Sequence, residues 1–227
     1  MPVTEVDEVE YIPRIDRMRP PCLDTAVFGM ACFFSFEPRF GITKGIWKTI
    51  VGYAGGKYES PTYSNMGDHV QAVMIEYDPS TISYGQLLEI FLRWQKPLSK
   101  GASLKGAPNR EASHIFVKNE FEKRLAQAAM ERYELCSGSS CGALVSVCKS
   151  FYEAEDWCQK YFLRTFPIFM KEIQNFYPEE REGVRSTLAA RLNGILGQPS
   201  LSFNLPENIE LYDLSESAVR TLEHLTP

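Results

Sequence analysis

The chain has 227 residues, 44% hydrophobic and 23% charged, with a formal net charge of -5. That length allows one large domain, or one domain with an appendage, and a core that needs no disulfide staples. The acidic balance and the lack of a long basic run give nucleic-acid binding no electrostatic support, and no apolar segment reaches the ~18 residues needed to span a bilayer. The first residues, MPVTEVDEVEYIPRIDRMRPP, lack a basic start followed by an apolar block. They do not read as a secretory signal and are too acidic for a transit peptide. The expectation is a cytoplasmic protein whose partners include neither nucleic acid nor membrane.

Six cysteines are present, Cys22, Cys32, Cys136, Cys141, Cys148 and Cys158. In a cytosolic chain of this size a structural disulfide framework is not expected. The closest spacing, Cys136 to Cys141, has no second pair beside it, and the histidines are His69, His114 and His224. No metal site is therefore expected. Transient redox roles for the cysteines stay open.

In chain order, residues 1–22 read as an irregular, flexible or loosely docked arm, broken by Pro13, Pro20 and Pro21. Thr25–Met30 reads as a strand and Cys32–Phe40 as the helix that follows at once. Cys32 then sits near a helix N-terminus, where unpaired N–H groups and the macrodipole favour a thiolate, the form that nucleophilic or redox chemistry uses. Burial as a small hydrophobe is the competing reading, and local sequence leaves the two close to even. Gly45–Tyr53 and His69–Tyr77 read as strands, and Ala54–Gly56 as a turn. Lys57–Gly67 reads as a loop. Ser83–Trp94 has the apolar spacing of an amphipathic helix, and Gln95–Glu111 is a long connection, functional or merely solvated. Ser113–Val117 reads as a strand, and Asn119 as the cap of a helix Glu120–Cys136. After a turn at Gly138–Gly142 come a strand Ala143–Lys149 and a helix Glu153–Leu163 with acidic residues in its first turn. Alternating strands and single helices over 25–165 imply an α+β, two-layer fold with helices largely on one face of the sheet. From about residue 170 the chain has no chemical motif. A helix starting at Pro178 carries Leu188, Leu192, Ile195 and Leu196, and Ser215 caps a last helix. This tail reads as a packing or partner-docking appendage.

Four segments together resemble the A-type peptide methionine sulfoxide reductases. Gly29-Met-Ala-Cys-Phe-Phe-Ser-Phe-Glu37 is similar to that family's GCFWGxE signature, and Val51-Gly-Tyr-Ala-Gly-Gly56 to its VGYAGG block. His69-Val-Gln-Ala-Val with Tyr77-Asp-Pro79 resembles its GHAEVV…YDP segment, and Phe151–Tyr161 its FYxAEDYHQxY segment. The resemblance covers about residues 24–165. It implies a ferredoxin-like catalytic domain over 24–169, an N-terminal arm over 1–23 and a helical C-terminal extension over 170–227.

It also implies a reaction, the reduction of methionine S-sulfoxide, free or in a peptide, by a cysteine nucleophile through a sulfenic acid. There would be no bound cofactor. A second cysteine and an external thiol reductant, thioredoxin or similar, would complete the cycle. Position by position, Cys32 matches the nucleophile, Phe33 the first aromatic of the methyl pocket, and Tyr53 a tyrosine that holds the sulfoxide oxygen. Phe34 stands where the family has tryptophan. Gln71 stands where it has the catalytic glutamate, and glutamine donates a hydrogen bond but delivers no proton. The family's HDP triplet is Gln95-Lys96-Pro97, which turns a carboxylate into an ammonium. Glu111 is a candidate acid near the family's second tyrosine. Cys136, Cys141 and Cys158 are candidate resolving cysteines. The substitutions point to weak or altered activity. The alternative is a catalytically degenerate relative that keeps the fold as a binding module.

Overall fold

The computed structural model describes residues 12–95, 113–198 and 205–225. The alternating segments build a mixed sheet from β1 (Asp24–Gly29), β2 (Ile46–Ala54), β3 (Val70–Tyr77), β4 (Ser113–Val117), β5 (Ala143–Val147) and β6 (Phe151–Glu153), in the order β5-β4-β1-β3-β2-β6. The β1, β2 and β3 pairings are antiparallel, as is β1 with β4 and β2 with β6. Strands β4 and β5 run parallel. Parallel neighbours need a crossover, which α4 (Glu120–Ser137) supplies. Asn119 caps α4 by accepting from the Glu122 N–H, and Gly138 closes it at φ 66°, a left-handed turn that glycine takes without a Cβ clash.

Alternation along the strands sends one set of side chains to a helical layer of α2 (Phe33–Gly41), α3 (Tyr84–Trp94) and α4. Phe28 stacks there between Phe40, at 5.7 Å, and Phe91, at 4.9 Å. The opposite set, Ala54, Val70, Ala72 and Phe116, forms a smaller cluster against Phe151 and Cys148. The α+β, one-face arrangement expected from the sequence is the observed one.

Two local expectations fail, and one helix was not expected. The helix expected over Glu153–Leu163 is instead the end of β6, a 3-10 turn Asp156–Cys158 and a one-turn helix α5 (Tyr161–Arg164). Its polar residues are engaged elsewhere. Gln159 pairs through its amide with the backbone N–H and carbonyl of Val51, and Lys160 takes φ 55° to send its ammonium into the core. The helix expected from Pro178 is broken into α7 (Glu180–Gly183) and α8 (Thr187–Leu196), because Ser186 caps a new start by accepting from the Ala189 N–H. A helix α6 (Pro167–Phe176), with proline in its first turn, was not read from the sequence.

Within the segment expected to be a flexible or loosely docked arm, residues 14–17 are tied down. A short helix α1 (Arg14–Arg17) docks on the C-terminal helices. Its Asp16 carboxylate accepts from the Thr187 and Leu188 N–H groups at the start of α8, Arg14 pairs with Asp213 at 2.7 Å, and Ile15 is buried. Ile15, α6, α8 and α9 (Glu216–Leu225) share a second apolar cluster.

That cluster is fastened to the sheet domain through α2 and α8. A Cβ on Gly41 would lie 2.3 Å from the Ala190 carbonyl oxygen, so the two backbones touch only because Gly41 has no side chain. Beneath them Glu37, 1% exposed, accepts from Thr49 Oγ1 at 2.9 Å, Lys160 Nζ at 2.6 Å and Asn193 Nδ2 at 3.1 Å. Asn193 Oδ1 in turn accepts the Phe162 and Leu163 N–H groups. One buried carboxylate thus joins α2, β2, the segment before α5 and α8.

Candidate functional site

β1 ends at Gly29 and α2 begins at Phe33, so the chain turns from strand to helix at Cys32. Cys32 is the N-cap of α2 with extended backbone (φ -142°, ψ 107°), and its side chain makes no capping bond. It is exposed. Thiols are weak acceptors, and the Phe33 N–H donates instead to Gln71 Oε1 at 3.0 Å. Gln71 lies on β3 directly opposite Tyr53 on β2; opposed residues of an antiparallel pair share a face. With its carbonyl oxygen held by an N–H, the Gln71 amide turns its two Nε2 hydrogens away, and these have no protein partner among the described residues.

An aromatic cluster flanks the cysteine. Buried Phe33 stacks on Phe34 at 4.6 Å, and Phe34 lies 4.5 Å from the Tyr161 ring, 5.8 Å from Tyr63 and 6.2 Å from Trp157. Trp157 meets Tyr63 edge-on at 5.0 Å. Trp157 is 50% exposed, and Tyr63 and Tyr161 are 41% exposed, so the outer wall of the cluster is open to a ligand. Sequence reasoning named Phe33 and Phe34 but missed Tyr63, Trp157 and Tyr161. The last two lie inside the quoted Phe151–Tyr161 segment, where their aromatic character was the available signal.

Tyr53 is fully buried, its ring edge-on to Phe33 at 6.1 Å. Its hydroxyl donates to Glu155 Oε2 at 2.7 Å, and Glu155 Oε1 accepts the Tyr63 N–H at 2.9 Å. Burial, and then the neighbouring carboxylate, push the Tyr53 phenol well above its ordinary range. Burial opposes charge on Glu155, but the Tyr63 N–H and the Tyr53 hydroxyl outweigh it and hold the carboxyl below the usual range. Cys158 is buried, its Sγ 3.9 Å from Glu155 Oε2. Burial first and the Glu155 charge second push its thiol up to about 12. Glu155 was not singled out from the sequence, since its partners Tyr53 and Tyr63 are distant in the chain.

The other candidate cysteines lie at different places. All six are free. Cys136 is exposed in the last turn of α4. Cys141 is buried just before β5, its thiol pushed up by burial. The start of β5 lies at the same end of the sheet as Cys32, two strands away. Cys158 is tied to the aromatic site through Glu155. Gln95 is buried and accepts the Gly142 N–H at 3.1 Å, whereas Lys96 and the candidate acid Glu111 lie outside the described residues. Among the described residues no group of three His, Cys, Asp or Glu side chains is placed to hold a metal ion, and no helix is long and apolar enough to cross a membrane.

Fold and site define a class: an α+β protein that presents a cysteine at a strand-to-helix junction beside an aromatic cluster. The sequence model of the family described as peptide methionine sulfoxide reductase matches residues 24–187. Peptide methionine sulfoxide reductase A5 of Arabidopsis thaliana is 39% identical over 175 residues, which are 76% of this chain and 67% of the relative. The A5 protein of Oryza sativa is 38% identical over 171 residues, 75% of this chain and 66% of the relative. The chain therefore spans about two thirds of the length of these plant relatives. Mxr1 of Saccharomyces cerevisiae in its reduced form superposes with a TM-score of 0.54 at 18% identity, over 66% of this chain and 88% of that one, a likeness of fold. The chain belongs to the peptide methionine sulfoxide reductase family of oxidoreductases.

Proposed function

We propose that this chain reduces methionine S-sulfoxide, free or within a polypeptide, with Cys32 as nucleophile. The observation that carries the reading is the exposed Cys32 beside Phe33, with the amide of Gln71 held against the Phe33 N–H. The Cys32 thiolate attacks the sulfoxide sulfur, and the oxygen takes up a proton and leaves that sulfur. Methionine is released, and the oxygen ends on Cys32 as a sulfenic acid. A second thiol condenses with it, expelling water and forming a disulfide, which two thiols of an external reductant then restore.

In this reading Gln71 Nε2 hydrogen-bonds the oxygen as charge builds there, and the S-methyl group lies against Phe33 and Phe34. Tyr53, expected from the resemblance to hold the oxygen, completes the wall between them in this reading because its hydroxyl donates to Glu155, and Glu111 is the candidate proton source. Because Gln71 transfers no proton, turnover is slow. Cys158, Cys141 and Cys136 are the candidate resolving thiols. Cys158 is placed nearest the aromatic site through Glu155 but is buried, and exposed Cys136 is the one open to an incoming thiol. The reductant is a thioredoxin-like dithiol, no cofactor is bound, and the setting is cytoplasmic. Residues 24–169 carry the chemistry, since every residue given a role lies there, while 1–23 and 170–227 support it.

The test is reduction of the S- and R-sulfoxides of an N-blocked methionine by the full chain with dithiothreitol, beside Cys32→Ser. Methionine is expected from the S-isomer with wild type alone. Equal, Cys32-independent conversion or no methionine from either protein would reject the reading, and the second outcome would leave the fold as a binding module, the reading that the loss of a transferable proton at Gln71 favours.

A further inference from the structure

A buried tyrosine hydroxyl carries one proton, and that proton can face only one acceptor. At Tyr53 the acceptor is Glu155, 2.7 Å away. The carboxylate is itself anchored, since its other oxygen takes the Tyr63 N–H at 2.9 Å. An ionised carboxylate accepts and never donates, so the polarity of the Tyr53–Glu155 bond is set, and only lone pairs of the phenol are left for any other group. Gln71, opposite Tyr53 across the β2–β3 pair, has the reverse bias: its oxygen is taken, and among the described residues its hydrogens have no partner.

We propose that Glu155 is a positioning residue that fixes the direction of the Tyr53 proton and withholds it from the sulfoxide oxygen, leaving the Gln71 amide as the donor there. The inference rests on the proposed reductase reading but concerns a hydrogen bond that exists with or without turnover. Its consequence is a gain of function. In Glu155→Gln the new amide oxygen still accepts the Tyr63 N–H, while its nitrogen donates to the Tyr53 oxygen. The phenol proton is then released toward the site, and the fixed negative charge behind it is gone. Glu155→Ala also removes the charge and the acceptor, but it supplies no replacement partner, so its effect mixes release of the Tyr53 proton with local loss of structure. It strands the Tyr63 N–H, so Glu155→Gln, which keeps that anchor, is the variant that isolates the direction of the Tyr53 proton.

Two readouts decide the matter. Raman difference spectra, wild type minus Tyr53→Phe and Glu155→Gln minus Glu155→Gln/Tyr53→Phe, isolate the Tyr53 ring doublet, whose intensity ratio separates a donating from an accepting phenol. The expected ratio is that of a donor in the first pair and of an acceptor in the second. In steady state with the S-sulfoxide, Glu155→Gln is expected to raise kcat by about a hundredfold, the low end of what one oxyanion donor is worth, with little change in KM. The gain should vanish when Tyr53→Phe is added. An unchanged doublet, a kcat that does not rise, or a gain that survives loss of Tyr53 overturns the proposal. Absence of turnover in every variant would reject the reductase reading, and the Raman pair would still report the direction of the proton.

Discussion

Gln71 brings to the β1–α2 junction a hydrogen-bond donor without a transferable proton, fixed by the Phe33 N–H. Substitution Gln71→Glu keeps an acceptor for that N–H and adds an acid. The sign with pH follows: the introduced carboxyl delivers a proton only in its protonated form, so the gain is greatest at acidic pH and fades as pH rises through its pKa. We expect kcat for the S-sulfoxide to rise by about a hundredfold at its best pH, the low end of general acid catalysis, with a falling alkaline limb set by the introduced carboxyl. A flat profile at wild-type turnover would show that the oxygen-binding side of the site no longer responds to an acid. Cys158 behaves in the opposite sense. Burial and the Glu155 carboxylate keep it a thiol until strongly alkaline pH, so if Cys158 is the resolving thiol we propose, the resolving step is expected to need the segment Asp156–Cys158 to open.

At the scale of elements, the contact of α2 with α8 is the joint on which the site depends, because α2 also presents Cys32, Phe33 and Phe34. Glu37, Lys160 and Asn193 hold that joint as one buried network. Removing one partner of a buried ion pair strands the other charge, so Lys160→Met should cost about 3–5 kcal/mol. Asn193→Ala leaves the Phe162 and Leu163 N–H groups and one Glu37 oxygen unpaired, at about 1–3 kcal/mol for each unsatisfied group. Denaturant unfolding of the two variants checks both values, and a loss under about 0.5 kcal/mol, the range of ordinary surface changes, would show that the network is dispensable.

Elements that declare themselves by local chemistry were legible in the sequence. Asn119 caps α4 as expected, the amphipathic spacing from Ser83 is a helix, Ser113–Val117 is a strand at the expected residues, and Cys32 stands at the start of α2. Elements decided by distant partners were not. Lys160 breaks an expected helix to reach Glu37, 123 residues earlier, and Glu155 turns to Tyr53 across 102 residues. Helical spacing carries no trace of either bond. Within the site, Cys32, Phe33, Gln71 and Tyr53 were legible because each lies in a contiguous matched segment. The partner that takes the Tyr53 proton was not, since it emerges only when β6 closes on β2.

For the whole molecule, two apolar clusters meet across α2, α5 and α8, and the N-terminal α1 closes the outer one. The C-terminal helices are part of what keeps the first core covered. Truncation after residue 169 removes α8, uncovers Gly41 and Pro38 and strips Asn193 from Glu37. The full chain is expected to unfold in one cooperative thermal transition, and the truncated chain to show none, with exposed apolar surface detected by dye binding. A truncated chain with a native-like transition would mean that the extension is a separable module.

The most direct measurement is a single turnover. Reduced full-length protein is mixed with excess S-sulfoxide and no reductant, and methionine formed per chain is counted while Cys32 is mapped by mass spectrometry. The account predicts about one methionine per chain, set by the single nucleophile, with Cys32 recovered as a sulfenic acid or as one half of a disulfide. Cys32 left as a free thiol with no methionine formed, or methionine formed at undiminished yield by Cys32→Ser, would contradict it.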